Sequence, residues 1–256
     1  MSIPGRVNVI GSWVNVCDMN TAIALVDARL QTGEGGYVCF TNAHTSVLGR
    51  RDPGFRAITN RSYLSVADGK PVYWLGRLKG RPIGHVPGPD FFLKAFERLP
   101  HRRHFLYGST PRAIEFLQTR LRAIVPGAQV VGALSPPFRP LSPEDKAQHY
   151  ATIRAASADF VWVGLGAPKQ EQWMAEAAPH LSPCILFGVG AAFDFHAGTI
   201  PRAPPVMRAL GLEWLSRLSQ EPRRLWKRYL ITNSLFVAYA FKDLLGGGSD
   251  PQSQQS

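Results

Sequence analysis

Short apolar runs, each closed by turn residues and most followed by a helical pattern, recur along this 256-residue chain. Residues 37–40, 63–67, 104–107, 128–131, 159–163 and 184–189 read as strands, and 7–16 as one or two more with a turn at Gly11-Ser12. Helical patterns lie between them: one capped by Asp18 or Asn20 and running to Leu30, then 89–98, 111–123 and 143–156. Strand and helix alternating at this spacing imply an α/β fold, a mostly parallel sheet with helices on both faces. Ligands of such sheets bind outside the carboxyl ends of the strands. Asn42, Asp68, Ser109, Gln170 and Asp194 each fall just past a strand end and are expected to face one crevice. No Gly-x-Gly-x-x-Gly is present, which argues against a standard dinucleotide site and a nucleotide-dependent oxidoreductase.

The richest stretch is Gly164-Leu-Gly-Ala-Pro-Lys-Gln-Glu171. A buried strand ends in two glycines, a proline starts a helix, and Lys169, Gln170 and Glu171 fall in its first turn. Free N–H groups and a partial positive charge make such a turn a site for anions, phosphates especially. An ordinary strand-to-helix turn is the alternative. Asp68, before Gly69, is the candidate catalytic carboxylate: partial desolvation at a strand end raises a carboxyl toward general-base range. Its alternative is an Asp-Gly turn. Thr41 and Asn42 offer neutral hydrogen-bonding groups at another strand end, the alternative being that Asn42 caps a helix. Arg77, Lys79, Arg81 and His85 form a basic run suited to a diphosphate or to a solvated loop. Asp194 and His196 suit a metal or an acid/base pair; two residues are too few for a metal site, and none is expected.

The net charge of +11 suggests a polyanionic partner: nucleic acid, an anionic membrane surface or a phosphorylated substrate. Nucleic-acid binding is the rival class, but the bases are not gathered into any recognisable nucleic-acid motif. Cys17, Cys39 and Cys184 are too scattered for a disulfide framework, which fits a reducing cytoplasm. No signal peptide is expected, and the longest apolar-leaning stretch, 229–241, is too short to cross a membrane. Residues 201–245 carry eight Lys/Arg against three Asp/Glu. Two helices are expected there, over 206–219 and 222–245, and bases interleaved with Trp226, Tyr229, Phe236 and Tyr239 suggest a membrane interface. A helix packed on the domain with a solvated basic face is the alternative. The expected organisation is a catalytic domain over 1–200, a basic helical appendage over 201–245 and a disordered tail over 246–256.

In combination, several blocks carry a resemblance. They are Asn42 with Asp68-Gly69, Val86-Pro-Gly-Pro-Asp90, Gly164–Glu171, Gly188–Gly198, Arg202-Ala-Pro204, Leu212-Glu-Trp-Leu-Ser-Arg-Leu218 and Glu221-Pro-Arg-Arg224. From about Val9 to Asp243 the chain resembles the WecG/TagA/CpsF family of bacterial glycosyltransferases. The resemblance implies a Rossmann-like domain whose appendage helps hold the enzyme on the inner face of the cell membrane. It implies inverting transfer of a sugar from a UDP-sugar to a polyprenyl-diphosphate-linked sugar, for teichoic acid linkage units, common antigen, capsule or exopolysaccharide. N-acetylmannosaminyl, mannosaminuronyl and glucosyl donors are all implied, and no cofactor beyond the donor.

By the same resemblance Asp68 is the general base. Asn42 and Gln170 match positions that face the donor or acceptor sugar, and with Thr41, His85, Gly108, Gly166, Lys169, Glu171, Asp194 and Arg202 they make up the expected substrate-binding set. Arg217, Arg223, Arg224 and Arg228 face lipid or membrane. The exposed appendage is also a surface for homo-oligomers. The chain departs from the family pattern in three places: Ala67 stands where proline is frequent, His85 where arginine is common, and Phe40 where many members have threonine.

Overall fold

The chain opens with a hairpin of β1 (Arg6–Val9) and β2 (Ser12–Asn15), paired antiparallel across Ile10-Gly11. This computed structural model describes residues 1–246, apart from the side chain of Arg224. Of the tail expected over 246–256, only Gly246 is described, its N–H donating to the Lys242 carbonyl at the end of the last helix; 247–256 lie outside the described residues. After the hairpin come six strands: β3 (Gly36–Thr41), β4 (Leu64–Ala67), β5 (Arg103–Gly108), β6 (Gln129–Leu134), β7 (Phe160–Gly164) and β8 (Ile185–Gly188). They form one sheet in the order β4-β3-β8-β7-β5-β6, every pairing parallel. All six C-terminal ends therefore lie along one edge. The fold is the α/β, Rossmann-like class expected.

Alternate residues of each central strand feed opposite layers, so both faces are buried and the strands read as unbroken apolar runs. Val38, Phe40, Leu106, Phe160, Trp162 and Phe187 meet helices α1 (Met19–Gln31), α5 (Gly88–Arg98), α6 (Pro111–Ile124) and α9 (Ala192–Ala197). Tyr37, Cys39, Phe105, Tyr107, Val161, Val163 and Leu186 meet α7 (Pro143–Ala155) and α8 (Lys169–Leu181) on the other face. A third cluster joins the hairpin to α2 (Ala43–Arg51), α4 (Lys70–Leu78) and α12 (Pro222–Leu245) through Val9, Val14, Val47, Leu75 and Phe236.

Helix α1 begins at Asp18, whose side chain accepts from the Thr21 N–H. Helices α2 and α4, with α3 (Pro53–Asn60), were not anticipated from the apolar pattern. Their starts are set by local chemistry. Asn42 and Thr45 form a capping box, the Asp52 carboxylate accepts from Gly54 and Phe55 N–H ahead of Pro53, and Pro71 sits in the first turn of α4.

The single helix expected over 206–219 is two, α10 (Pro205–Ala209) and α11 (Glu213–Gln220). Gly211 separates them at φ +72°, a left-handed conformation that ends a helix, and a Cβ there would meet the Trp74 ring at 2.8 Å. Helix α12 is knitted into the body. Phe236 and Leu225 are buried, and Lys79 Nζ donates to Asp243 Oδ2 at 2.6 Å. Lys79 of the basic run is therefore engaged in holding α12.

Candidate active site

Asn42 and Asp68 leave the adjacent strands β3 and β4 at their C-terminal ends. The Asp68 carboxylate accepts from two sides: the Gly88 N–H donates to Oδ1 at 2.8 Å, and Asn42 Nδ2 donates to Oδ2 at 3.1 Å. Gly88 opens α5, so the carboxylate sits where that helix presents unpaired N–H groups. The Asn42 amide cannot turn over, because its Oδ1 already accepts from the His44 and Thr45 N–H groups. Helix capping and carboxylate positioning, set out above as alternatives, are performed by the same side chain. The Asp68 backbone is pinned as well. Its N–H donates to the Thr41 carbonyl at 2.9 Å, and His85 Nε2 donates to its carbonyl at 2.7 Å.

Burial raises the Asp68 pKa to about 6, against the hydrogen bonds from Gly88 and Asn42 that lower it. A carboxylate so poised is ionised at neutral pH yet basic enough to accept a proton in a transition state. His85 is neutral there, since burial and then the Lys70 charge push its pKa down to about 4.

Behind this pair Arg202 grips Asp90 with two bonds, at 2.5 and 2.9 Å, and its Nε reaches Glu213 at 3.5 Å. Burial alone would raise the Asp90 carboxyl, but the Arg202 hydrogen bonds and charge hold it below its ordinary range. These residues frame a cavity of about 380 Å³ beside the Asp68 loop. Lys70, Arg208 and Glu213 also line it. Sequence reasoning did not single them out, although Lys70 follows Asp68-Gly69 directly.

The other strand ends are built differently. Gly108 has φ +120°, and a Cβ would stand 2.7 Å from the Gly164 backbone. Gly108→Ala is expected to cost about 2 kcal/mol or more, from strain and overpacking together, read as a lower denaturant midpoint. Gln170 is buried: its Oε1 accepts from Gly166 N–H at 3.1 Å, and its Nε2 donates to the Gly188 carbonyl at 2.8 Å and to Glu171 Oε1 at 2.9 Å. The amide is filled by protein partners and ties the β7–α8 turn to β8. Thr41 is likewise buried, its hydroxyl 2.7 Å from that of Ser65. Lys169 is exposed on the first turn of α8. Asp194 takes a hydrogen bond from Thr199 within the α9 turn, and His196 Nε2 bonds the Pro89 carbonyl at 2.8 Å.

Glu171 is buried with Oε2 lacking any hydrogen-bond partner among the described residues, and burial raises its pKa. Its folded-state pKa lies above the unfolded value of 4.5, so its contribution favours folding at low pH and is lost as pH rises from 4.5 through the folded value. Glu171→Gln removes that dependence. Denaturant midpoints at pH 5 and pH 8 are expected to show the variant gaining on the wild type as pH rises; parallel curves would mean that the carboxyl is not desolvated.

On the C-terminal helices Arg217 pairs with Glu221 at 3.2 Å and lies over the Phe195 ring. Arg223 and Arg228 are exposed on α12. The Arg228 charge adds to burial in lowering the His44 pKa to about 4, which sets it near the start of α2. The side chain of Arg224 lies outside the described residues. Among the described residues no group of three or more His, Cys, Asp or Glu side chains is placed to hold a metal ion.

The strand-end carboxylate, its amide partner and the cationic cavity lie within a segment that matches a known family model. Residues 7–249 match the model described as Glycosyl transferase WecG/TagA/CpsF family. The chain is also 27% identical over 205 residues to the N-acetylglucosaminyldiphosphoundecaprenol N-acetyl-beta-D-mannosaminyltransferase of Bacillus spizizenii, a match that covers 78% of this chain and 77% of that protein. With the family match spanning nearly all of its length, from the hairpin through the appendage, this chain belongs to the WecG/TagA/CpsF family of glycosyltransferases.

Proposed function

We propose that the protein transfers a sugar from a UDP-sugar to a hydroxyl of a polyprenyl-diphosphate-linked sugar, with inversion, and that Asp68 is the base. The observation that carries this reading is the carboxylate held between Gly88 N–H and Asn42 Nδ2 at the sheet edge, with its pKa near 6. In the step, the acceptor oxygen bonds to the anomeric carbon and its proton passes to Asp68. The bond from that carbon to the UDP oxygen breaks, and UDP leaves with the electron pair. UDP needs charge neutralisation rather than a proton, which the cations of the adjoining cavity supply. The family and the relative named above support a lipid-linked acceptor, and an N-acetylmannosaminyl donor is the first to try.

The test is UDP release by the purified protein against a panel of UDP-sugars, with and without polyprenyl-diphosphate-linked N-acetylglucosamine. Acceptor-dependent release with one donor is the expected result; no release with any donor would sink the reading.

The same reading puts the protein at the surface of the membrane that holds its acceptor. Among the described residues no helix is long and apolar enough to cross a membrane. Along α12, however, Trp226, Leu230, Val237, Phe241 and Leu244 are exposed, and at this spacing they share one stripe. Arg223 and Lys227 flank its start. Deleting α12 would remove Phe236 and Leu225 from the packed body, so charge reversal is the cleaner probe. Arg223→Glu with Lys227→Glu is expected to weaken co-sedimentation with anionic vesicles at least about fivefold per residue. Unchanged binding would remove this face from the membrane contact.

A further inference from the structure

Beside Asp68 lies positive charge that the protein does not itself neutralise. The cavity of about 380 Å³ is lined by three cations, Lys70, Arg202 and Arg208, against two carboxylates, Asp90 and Glu213. The charges are unevenly matched. Arg202 takes both oxygens of Asp90 in a two-bond grip and also reaches Glu213. Arg208 comes no nearer to Asp90 than 3.7 Å, and its Nε is buried with no hydrogen-bond partner among the described residues. Lys70 makes no ion pair among the described residues, its ammonium lying 5.2 Å from the centre of the Tyr73 ring.

His85, on the same wall, does not add to this charge. Its Nε2 donates to the Asp68 carbonyl, an atom that only accepts, so that nitrogen carries a proton. Burial, then the Lys70 charge, keeps the other nitrogen unprotonated, and the ring is a neutral brace for the base. Two cations without full partners, one rigid and forked and one a mobile point charge, suit an anion with several oxygens and more than one negative charge.

We propose that Lys70 and Arg208 form a diphosphate-binding subsite beside Asp68, with His85 a neutral brace rather than an anion ligand. The inference rests on the reading that the substrates carry a diphosphate, and names the residues that hold it. Both substrates of that reading contain the group, one as a nucleoside diphosphate and one as a prenyl diphosphate.

Calorimetric titration with inorganic pyrophosphate, UDP, uridine and farnesyl diphosphate separates these sources. The proteins to compare are the wild type, Lys70→Met, Arg208→Gln, the double variant, and Lys70→Arg as the charge-conserving control. Both side chains are partly exposed, so the variants are expected to fold; thermal melts check this. Each single loss is expected to weaken pyrophosphate binding about tenfold, with Lys70→Arg close to wild type. His85→Gln is expected to keep pyrophosphate affinity within about twofold, because a neutral side chain replaces a neutral one.

A matching loss for UDP but not uridine assigns the subsite to the donor. A matching loss for farnesyl diphosphate but not UDP assigns it to the acceptor. Pyrophosphate affinity unchanged in the double variant, or no binding of any diphosphate by the wild type, overturns the proposal. These titrations need no turnover. A wild type that binds pyrophosphate through Lys70 and Arg208 yet transfers no sugar would refute the proposed reaction and leave the subsite standing.

Discussion

Asp68→Asn is expected to lower kcat by about 10²–10⁴-fold, the range that a positioned general base supplies. The amide keeps an oxygen for the Gly88 N–H but has no basic lone pair with which to take the acceptor proton. In the wild type kcat/KM is expected to fall on the acid side with an apparent pKa near 6, because protonation fills the oxygen that must accept. The limb should fall about tenfold per pH unit, as for a single ionisation.

The fold is expected to survive the change. The Asp68 pKa is raised from 3.8 in the unfolded chain to about 6, so the folded state favours the protonated form. That contribution is fully present below pH 3.8 and is lost as pH rises through about 6. Asparagine is neutral throughout. Its stability relative to wild type should therefore improve as pH rises across that window, offset in part by the Asn42 Nδ2 that loses its carboxylate partner. Melting at pH 5 and pH 7.5, beside the UDP-release assay, reads both effects. Full activity in the variant would remove Asp68 as the base; a large loss of melting temperature would show that its carboxylate serves the fold instead.

Trp162→Ala is expected to cost about 3–5 kcal/mol of stability. Trp162 is fully buried on β7, at the centre of one face of the sheet. Its ring lies 4.4 Å from Phe187, 4.9 Å from Phe92 and 5.6 Å from Phe96, centroid to centroid, so truncation opens a cavity walled by rigid rings that relax poorly. A polar loss adds to this. The indole Nε1 donates to His104 Nδ1 at 3.1 Å, while His104 Nε2 bonds the Leu99 carbonyl, so the substitution strands a buried acceptor. Trp162→Phe keeps most of the ring and isolates that hydrogen bond, for about 1–3 kcal/mol. Denaturant unfolding measures both: the midpoint should fall in that order with the slope unchanged. A Trp162→Ala loss below about 1 kcal/mol would mean that this layer repacks freely.

The appendage shows how local sequence and packing divide the work. Bases and aromatics interleaved from Leu225 to Tyr239 gave two readings, a membrane interface and a packed helix; α12 is packed on one face and leaves apolar side chains exposed on another. Phe236 and Leu225 are buried, whereas Trp226, Leu230 and Phe241 are exposed. Composition alone does not separate them, because both faces are apolar and only the presence of α2 and the hairpin decides which is covered.

The strands were legible to within one to three residues because a parallel sheet covered on both faces needs unbroken apolar runs, and 160–163 or 184–187 have few other uses. Their carboxyl ends followed from the same pattern, which is why Asn42 and Asp68 were singled out before any contact was known. Helices α2 and α3 were missed because at 9 and 8 residues they are too short to stand out as periodic segments, and they owe their starts to Asn42 and Asp52, whose side chains also suit turns. Gln170, Glu171 and Thr41 looked from the sequence like Asn42: polar residues at or just past strand ends. Only the tertiary structure closed the hydrogen bonds of Gln170 and Thr41 inside the protein, buried Glu171, and left Asp68 beside the cavity lined by Lys70 and Arg208. Sequence order determines which residues reach the sheet edge; burial and partner geometry depend on elements distant along the chain, and these decide which polar groups remain for a substrate.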